Sequence, residues 1–352
     1  MAIEIIGTGK AIPVQRVSND DLAARLDTSN EWIKSHTGIE YRHIADDDVA
    51  ASDISLEAAK NALAMAAGFS GDSTANPDEW NRAAMETAQS LDFIIVGTAT
   101  PDYMGCPSTA CIVQSKLEAD RAGAMDLTAG CTGFIYGLET AAGILERGKE
   151  RKRALVIGAE VLSKFMNWDD RNTCVLFGDG AGAVVIEKTE NPGEGPQKRG
   201  LIRTILGANG SGGENLIFRR GGARNPFKAG ETIEHGICVE MNGLEVYNFA
   251  VNAFIDTASA LMQAENITAN DISWLIPHQA NARIVAAANK RLKIPEERIM
   301  LNIKEYANTS AASIPIALDE LNRNGKLNRG DLIMTVAFGG GLTYGGNIII
   351  WQ

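Results

Sequence analysis

The sequence has little cysteine, and its cysteines form no regular pattern. Five are spread over 352 residues at irregular spacings, and an odd number cannot all be paired within one chain. The opening residues MAIEIIGTGK lack the charged segment and the apolar stretch of a secretory signal. We therefore expect neither a disulfide-built scaffold nor export, and we expect a cytoplasmic protein.

Long apolar segments are also missing. The longest uncharged run, 332–352, contains five glycines together with Thr335, Thr343 and Asn347, which makes it too polar and too flexible for a membrane span. The run predicts a strand, a glycine turn and a second strand. No association with a membrane is expected.

Positive charge is scarce. The chain has 33 Lys and Arg against 44 Asp and Glu, a net charge of −11, whereas a general nucleic-acid binder needs a basic face for the phosphates. An anionic partner would need a local patch, if these charges are not simply scattered and solvated. Two groups could supply one, the first in a glycine-containing loop and the second along one predicted helix: Arg219, Arg220, Arg224 and Lys228, and Arg283, Lys290, Arg291 and Lys293.

What the chain does have is apolar residues, at 45%, enough for a large core. Strands with little alternation, such as RALVIGAEV and GAGAVVIEK, indicate sheets covered on both faces, as in α/β layers. The apolar strands in DFIIVGTAT and DISWLIPHQAN each follow an Ala-rich helix and indicate a duplication. We predict two halves, 1–190 and 191–352, with a polar surface insertion near 70–90 in the first.

Cys131 is the first candidate for chemistry. The segment AMDLTAGCTGFIYGLETAAGIL predicts a strand, a turn of small residues and a helix, with Cys131 on the turn. This placement resembles the nucleophile elbow of hydrolases. Backbone N–H groups and the helix dipole there favour a thiolate. The alternative is a buried structural cysteine.

Three further positions have less specific signals. His278 follows SWLIP and precedes a predicted helix, so it lies at the end of a strand much as Cys131 does. It is a candidate base or hydrogen-bond donor, or else a satisfied core histidine. Asn308 alone indicates a turn or a helix cap. The glycines after Phe338 let a backbone N–H approach a ligand, as in an oxyanion hole, or form a plain tight turn.

Taken together, these motifs are far more specific. The chain resembles β-ketoacyl-acyl-carrier-protein synthase III through IIGTGKAIP, DTSNEWIKSHTGI, CPSTAC, AGCTGF, FGDGAGA, PHQAN, NTSAAS and FGGG. The resemblance covers nearly the whole length. It implies an α/β, thiolase-like duplicated fold of five layers, αβαβα, with two halves related by a pseudo-twofold axis and assembled as a homodimer.

The resemblance implies a decarboxylative condensation of an acyl-CoA primer with malonyl acyl carrier protein, which initiates fatty acid synthesis. Cys131 would carry the acyl group, since a cysteine preserves it as a thioester. His278 and Asn308 would stabilise the enolate left by decarboxylation, and the N–H groups of Cys131 and Gly340 would form the oxyanion hole. No metal or cofactor is expected, because coenzyme A arrives as part of a substrate.

The family's binding residues can be carried over by motif. The coenzyme A arm would contact Thr28, Trp32, Arg171 and Asn281, with an adenine sandwiched between the indole and the guanidinium. Phe177 and Phe338 would line the acyl site. The acidic carrier would dock on the basic helix through Arg283, Lys290 and Arg291.

Four positions depart from the family pattern. His36 stands where Arg is frequent, and Leu244 and Asn248 stand where Asn and Lys are common. Cys106 replaces a Phe that often shortens the acyl pocket across the dimer, so we expect longer or branched donors. The alternatives are a condensing enzyme of a secondary-metabolite pathway, a Cys-His-Asn thioester hydrolase, and a carrier-binding scaffold without catalysis.

Overall fold

The computed structural model describes residues 1–69, 76–190 and 199–352. The strands, in chain order, are β1 Ala2–Ala11, β2 Gln15–Ser18, β3 Tyr41–Ile44, β4 Phe93–Gly97, β5 Gly123–Leu127, β6 Arg153–Glu160, β7 Gly180–Thr189, β8 Gly200–Ala208, β9 Leu216–Phe218, β10 Val239–Met241, β11 Trp274–Pro277, β12 Leu332–Gly339 and β13 Thr343–Ile350. The α-helices are α1 Asn19–Ala23, α2 Asn30–Thr37, α3 Ala51–Ala66, α4 Pro77–Ala88, α5 Thr109–Lys116, α6 Gly133–Arg147, α7 Gly243–Glu265, α8 Ala282–Leu292, α9 Ile303–Tyr306 and α10 Ser313–Arg323.

Two mixed sheets repeat one pattern. The first has the order β1-β7-β6-β4-β5 and the second the order β8-β13-β12-β11. Within each sheet the first two pairings are antiparallel, and the third, β6 with β4 or β12 with β11, is parallel. Four strands thus recur with the same order and directions, and beside β11 a single parallel bridge, Leu275 with Ile299, stands where β5 pairs with β4 in the first sheet. The duplication expected from the two apolar strands is present at the level of topology.

The helices and sheets form five layers. Helices α6 and α10 share one apolar cluster with strands of both sheets and therefore lie between them. Helices α3, α4 and α5 cover the outer face of the first sheet, and α7 and α8 cover the outer face of the second. This is the five-layer αβαβα arrangement that the resemblance implied.

The central strands are buried on both faces, which is why their sequences do not alternate. On β4, Ile94 and Val96 pack into the outer cluster while Ile95 packs into the middle one. On β12, Met334 and Val336 face α7 and α8, whereas Ile333 and Ala337 face the middle layer. Continuous apolar runs are typical of strands covered on both sides.

Two further expectations can be compared with the structure. Residues 332–352 form the strand, glycine turn and strand that were predicted, and no helix of the described residues is long and apolar enough to cross a membrane. The stretch near 70–90 is more than a surface insertion, since it contains α4, whose Ala84 and Ala88 are buried against the outer layer. Pro77 at the first turn of α4 starts a helix there. Residues 70–75 lie outside the described residues, as do 191–198, next to the expected boundary of the halves.

Candidate active site

Cys131 lies on a tight turn between β5 and α6. The turn is a 3₁₀ helix, Gly130–Thr132, that runs directly into α6. Gly130 has a φ of +52°, and a Cβ there would be 2.9 Å from the carbonyl oxygen of Gly340. A Cβ at Gly339 would be 2.8 Å from Cys131 Sγ. Glycine at both positions therefore lets the end of β12 contact the cysteine turn.

Cys131 is buried, with 9% of its surface exposed. Burial raises its pKa to about 11, although Ser310 and the N–H groups of Gly340 and Cys131 hydrogen-bond to the sulfur and oppose the rise. The backbone N–H groups at the helix start thus favour the thiolate as expected, but burial outweighs them. Loss of hydration outweighs the helix dipole here because the sulfur has almost no contact with water. Cys131 is a thiol at rest, and its proton must leave when the sulfur attacks.

His278 follows β11 directly and is buried. The backbone N–H of His278 donates to the carbonyl of Val336 at 2.8 Å. Its ring Nδ1 lies 2.8 Å from Ser313 Oγ. The ring packs edge-on against Phe338, with 5.5 Å between centroids. Burial lowers the pKa of His278 to about 3, so the imidazole is neutral at physiological pH. Its Nε2 is buried without a hydrogen-bond partner among the described residues.

Asn308 is fixed by its own backbone and by one side-chain bond. Its N–H donates to the carbonyl of Leu176, and its carbonyl accepts from Gly178, at 2.9 and 3.1 Å. Its Oδ1 accepts the N–H of Ser310 at 2.8 Å. Because the amide oxygen is engaged by the backbone, the amide nitrogen is the group left to donate to a ligand.

The repeat places these residues differently from what the sequence suggested. β11 corresponds to β4, so the position equivalent to His278 is Thr98, which follows β4. Cys131 opens α6, and the equivalent helix α10 is opened by the 3₁₀ turn Ser310–Ala312. The expectation that Cys131 and His278 occupy like positions is wrong. The sequence showed that each follows a strand but not which strand of the repeat.

Two cavities meet at Cys131. One, of about 100 Å³, is lined by Cys131, His278 and Asn308 together with Phe338 and Asn281. The other, of about 230 Å³, has mostly apolar walls, formed among others by Leu162, Phe177, Leu216, Phe218 and Val239. Cys131, Phe177 and Leu216 line both. A group attached to the sulfur can therefore extend into the apolar cavity while a second molecule reaches the His and Asn side.

An outer cavity lies next to the cavity of His278. It is lined by Trp32 and shares Met241 and Gly243 with the cavity of His278. Trp32 is 37% exposed, and His36 stacks on its ring with 4.4 Å between centroids. Asn281 caps α8 and donates to the carbonyl of His36 at 3.0 Å. His36, one of the four positions that depart from the family pattern, thus lies at the mouth of the route to Cys131.

Arg171 lies within cation–π range of Trp32. The guanidinium lies 5.8 Å from the indole centroid, and it pairs with Asp27 at 3.1 Å. A planar ring held between them needs roughly 7 Å, the sum of two van der Waals contacts. Arg171 therefore has to swing outward before an adenine can be sandwiched. Thr28 lies on the same segment, and its hydroxyl is buried without a partner among the described residues.

Other residues singled out from the sequence lie on the surface. Cys106 is exposed and does not line the apolar cavity of its own chain, so a contribution across a dimer stays a prediction. Leu244 and Asn248 are exposed on α7, as are the three cations of α8, Arg283, Lys290 and Arg291. Arg219 pairs with Glu214 and Glu240, and Arg220 pairs with Glu231, so these two loop cations have partners within the chain.

Sequence reasoning missed three polar residues beside the site: Ser310, Ser313 and Glu160. Ser310 and Ser313 belong to NTSAAS, which was read only for Asn308. Glu160 is the last residue of β6 and is completely buried. An acidic residue at the carboxyl end of an apolar strand was the available signal, because buried carboxylates are rare unless hydrogen-bonded.

Comparisons with known proteins match the whole chain. The model of the 3-oxoacyl-acyl-carrier-protein synthase III family matches residues 125–210, and that of its C-terminal part matches 262–351. The β-ketoacyl-acyl-carrier-protein synthase III of Caldanaerobacter subterraneus subsp. tengcongensis is 46% identical over 100% of this chain and 98% of the relative. That of Natranaerobius thermophilus is 45% identical over 99% of each.

Solved structures give the same result. The crystal structure of 3-oxoacyl-acyl-carrier-protein synthase III from Aquifex aeolicus VF5 superposes with a TM-score of 0.84 at 39% identity. The match covers 99% of this chain and 100% of that one. The sequence motifs, the duplicated five-layer fold and these full-length matches agree, and the chain belongs to the β-ketoacyl-acyl-carrier-protein synthase III family.

Proposed function

We propose that this chain condenses an acyl-CoA primer with malonyl acyl carrier protein, releasing carbon dioxide and starting fatty acid synthesis, with Cys131, His278 and Asn308 as its catalytic residues. The observation that carries the assignment of residues is that all three line one cavity. Neither the secondary-metabolite alternative nor the thioester hydrolase is favoured, since the relatives that match along the full chain are named as synthases III.

The first half-reaction transfers the acyl group. Cys131 Sγ attacks the thioester carbonyl, coenzyme A leaves as a thiol, and the acyl chain enters the apolar cavity. The N–H groups of Gly340 and Cys131 point at the sulfur region, where they can stabilise the oxyanion of the tetrahedral intermediate. The product is again a thioester, so it keeps the activation that the second half-reaction needs.

The second half-reaction takes place on the other side of Cys131. Loss of carbon dioxide from the malonyl group leaves an enolate, and its oxygen can accept from His278 Nε2 and Asn308 Nδ2. A neutral histidine suits this role, because it donates a hydrogen bond without delivering a proton to the carbon. The enolate carbon then attacks the acyl-Cys131 carbonyl and expels the thiolate. These steps use hydrogen bonds and a thiol, so the proposal includes no metal or cofactor.

Residues around the mouth of the site and on the surface of α8 deliver the two substrates. The coenzyme A arm enters past Thr28, Trp32, Arg171 and Asn281. Phe177 lines both cavities, whereas Phe338 lines the cavity of His278 and not the apolar one, so of the two aromatic residues expected in the acyl site only Phe177 lines the proposed acyl cavity. The acidic carrier docks on Arg283, Lys290 and Arg291, which form no ion pair within residues 1–69, 76–190 and 199–352. We also propose a cytoplasmic homodimer, supported by the exposed apolar side chains of Tyr103 and Met104 beside Cys106.

The direct test is to trap the intermediate. The enzyme is incubated with acetyl-, butyryl-, isobutyryl- and hexanoyl-CoA without the malonyl carrier, and intact mass and peptide mapping then locate the acyl group. We expect one acyl group on Cys131 and formation of β-ketoacyl carrier once malonyl carrier is added. The Cys131→Ala variant should form neither. Normal condensation by Cys131→Ala, with no adduct on the unmodified enzyme, would refute the assignment.

A further inference from the structure

Glu160 is a carboxylate that the condensation, as described, does not use. It ends β6 with no exposure to solvent. Its oxygens accept from Thr100 Oγ1 at 2.7 Å, from the N–H of Ala99 at 3.1 Å and from Thr98 Oγ1 at 3.3 Å. Every one of these donors belongs to the segment that follows β4. A buried acid held in this way is positioned by the fold and is not a surface charge that happens to be covered.

Ser310 connects this carboxylate to the nucleophile. Its side chain lies close enough to Cys131 and to Glu160 to lower the pKa of both, and it lines the apolar cavity beside the sulfur. Its φ is +48°, a conformation that non-glycine residues seldom adopt, and its N–H is held by Asn308 Oδ1 at 2.8 Å. The backbone therefore fixes Ser310 in a site near both the sulfur and the carboxylate.

The repeat gives this cluster a clear relationship to the catalytic residues. Ser310 opens α10 as Cys131 opens α6, and Thr98 follows β4 as His278 follows β11. Glu160 ends β6, whose equivalent β12 ends at Gly339 beside the sulfur. The cluster of Ser310, Thr98 and Glu160 draws on both halves, and its members occupy the positions that the repeat makes equivalent to Cys131, His278 and Gly339.

We propose that Ser310 and Glu160 form a proton relay for Cys131, with Ser310 as a further catalytic residue that touches the sulfur and Glu160 as the residue that holds the hydroxyl and receives the proton. The proposal rests on the proposed function, since it takes Cys131 to be the nucleophile. It gives His278 no part in removing the thiol proton. His278 is then neutral and available for the enolate in every turnover.

The proton balance closes over one cycle. During acylation the S–H proton passes to Ser310 Oγ while the Ser310 hydroxyl proton passes to Glu160, the sulfur bonds to the acyl carbon, and coenzyme A departs as a thiolate that solvent protonates. During condensation the Cys131 thiolate is expelled. Glu160 then returns its proton through Ser310 to the sulfur, and the free enzyme is restored.

The surroundings of Glu160 suit a proton acceptor. Burial raises its pKa to about 7, against the hydrogen bonds from Thr100, Ala99, Ser310 and Thr98. The titratable group that faces it is Cys131. Asp179, just before the paired strand β7, turns its carboxylate to Ser163 and to the N–H of Ala45, and its charged neighbour is Lys164. Cys131 and Glu160 therefore titrate as a coupled pair.

The test measures proton removal separately from the rest of the reaction. Single-turnover acylation by acetyl-CoA and alkylation of Cys131 by iodoacetamide are followed by mass spectrometry between about pH 6 and about pH 9. In the unmodified enzyme both rates should rise to a plateau beginning near the Glu160 pKa of about 7. In Glu160→Gln, acylation at neutral pH should fall roughly 100-fold, and both rates should keep rising without that plateau.

Three variants make the outcome decisive. Ser310→Ala keeps the N–H that binds Asn308 and should reproduce the Glu160→Gln profile even if Glu160→Gln fails to fold. The double variant should be no slower than either single one. Glu187→Gln neutralises a carboxylate on the neighbouring strand, at the far end of β6 beside Arg153, and should leave the profile unchanged.

The possible failures are distinguishable. If acetyl-CoA never acylates Cys131 in the unmodified enzyme, the proposed function itself is wrong. If Cys131 is acylated normally while Glu160→Gln and Ser310→Ala keep the wild-type plateau, the relay is wrong and the proposed function stands. An equal slowing at every pH with the plateau unmoved would also overturn the relay, because it would mean that Glu160 only supports the segment after β4.

Discussion

The Nδ1 atom of His278 lies 2.8 Å from the hydroxyl oxygen of Ser313. That oxygen also accepts the N–H of Gln279 at 3.4 Å, so its own proton is free to point at the imidazole. A neutral imidazole has one N–H donor, and an Nδ1 that accepts from Ser313 leaves the proton on Nε2. The first residue of α10 thus favours the tautomer in which His278 donates into the cavity that it shares with Cys131 and Asn308.

The first prediction separates the two half-reactions. His278→Ala and Asn308→Ala should each still accept an acyl group on Cys131, because neither side chain is needed to remove the thiol proton. Decarboxylation of malonyl carrier should lose about 2.7–4 kcal/mol of transition-state stabilisation, a fall of roughly 100- to 1000-fold. Trapped acyl-enzyme and carbon dioxide release are measured on the same samples.

Ser313→Ala serves as the positioning test for the same donor. It leaves His278 in place but removes the group that selects its tautomer, so decarboxylation should slow less than in His278→Ala while acylation stays normal. Loss of acylation with unimpaired decarboxylation in His278→Ala or Asn308→Ala would reverse the assignment of the two half-reactions.

The second prediction concerns stability against pH. Burial lowers the pKa of His278 to about 3 in the folded chain from 6.5. Above 6.5 the ring is neutral in both states and has no effect, whereas below 6.5 the unfolded chain gains a proton that the folded chain cannot take. His278 should therefore destabilise the fold progressively from pH 6.5 down to about 3. His278→Gln should lose less thermal stability over that range than the unmodified enzyme.

Glu160 should change the stability of the fold with pH in the opposite direction, which gives an internal comparison. Its pKa is raised from 4.5 to about 7, so the folded carboxyl holds its proton at pH values where the unfolded chain has lost it. The stability that protonated Glu160 contributes, relative to the ionised group, is complete below pH 4.5 and is lost as the pH rises to about 7. Glu160→Gln should thus be stabilised relative to the unmodified enzyme above neutral pH. A parallel pH dependence of melting temperature in all three proteins would contradict both pKa shifts.

The fold was predictable to the extent that it depends on local pattern. Apolar strands without alternation predicted sheets covered on both faces, and the glycines between Phe338 and Leu342 predicted the turn that joins β12 to β13. The turn at Cys131 followed from its small neighbours. What these patterns could not give is the order of strands, because the pairing of β7 between β1 and β6 depends on contacts distant in sequence.

The site was predictable by residue but not by electrostatics. Motifs identified Cys131, His278 and Asn308, which the fold brings to one cavity. The helix start was expected to favour the thiolate, yet burial raises the Cys131 pKa, and burial is a property of the packed chain. Glu160 was missed for the same reason. An acidic residue at the end of an apolar strand indicated a buried carboxylate, but its proximity to Ser310 of the second half depends on contacts distant in sequence.

The third prediction concerns the docking of the carrier. Arg283, Lys290 and Arg291 are exposed on α8, whose N-cap Asn281 lies beside the route to Cys131. Reversing their charges with Glu should raise the KM for malonyl carrier several-fold and make it less dependent on salt, because long-range attraction to an acidic partner is lost. Acylation by acetyl-CoA, which needs no carrier, should be nearly unchanged.

A matched control lies on the other half of the molecule. Lys149→Glu reverses an exposed charge on the turn after α6 and should leave the KM for malonyl carrier as it is. Equal damage to acylation and condensation in the α8 variants would place the docking surface elsewhere.

The last prediction is that the enzyme accepts longer or branched acyl donors. The cavity beside Cys131 has a volume of about 230 Å³ and mostly apolar walls, and the exposed Cys106 does not fill it from within the chain. Each buried methylene contributes about 0.8 kcal/mol, so two of them favour a longer chain by roughly tenfold. Competition between acetyl- and hexanoyl-CoA should therefore favour hexanoyl, measured as the ratio of kcat/KM values.

Two substitutions test where the space for the acyl chain lies. Val239→Phe places a ring in the wall of the cavity and should reduce the use of hexanoyl-CoA by about tenfold while sparing acetyl-CoA, because only the far end of the chain meets the ring. Cys106→Phe should act in the same direction only if a partner subunit brings that position to the cavity, and thus it also tests the proposed dimer. Val14→Phe makes the same exchange at a residue that is 97% exposed and should change neither rate. If the unmodified enzyme strongly prefers acetyl-CoA to every longer donor, the acyl chain does not use this cavity, whatever the variants do.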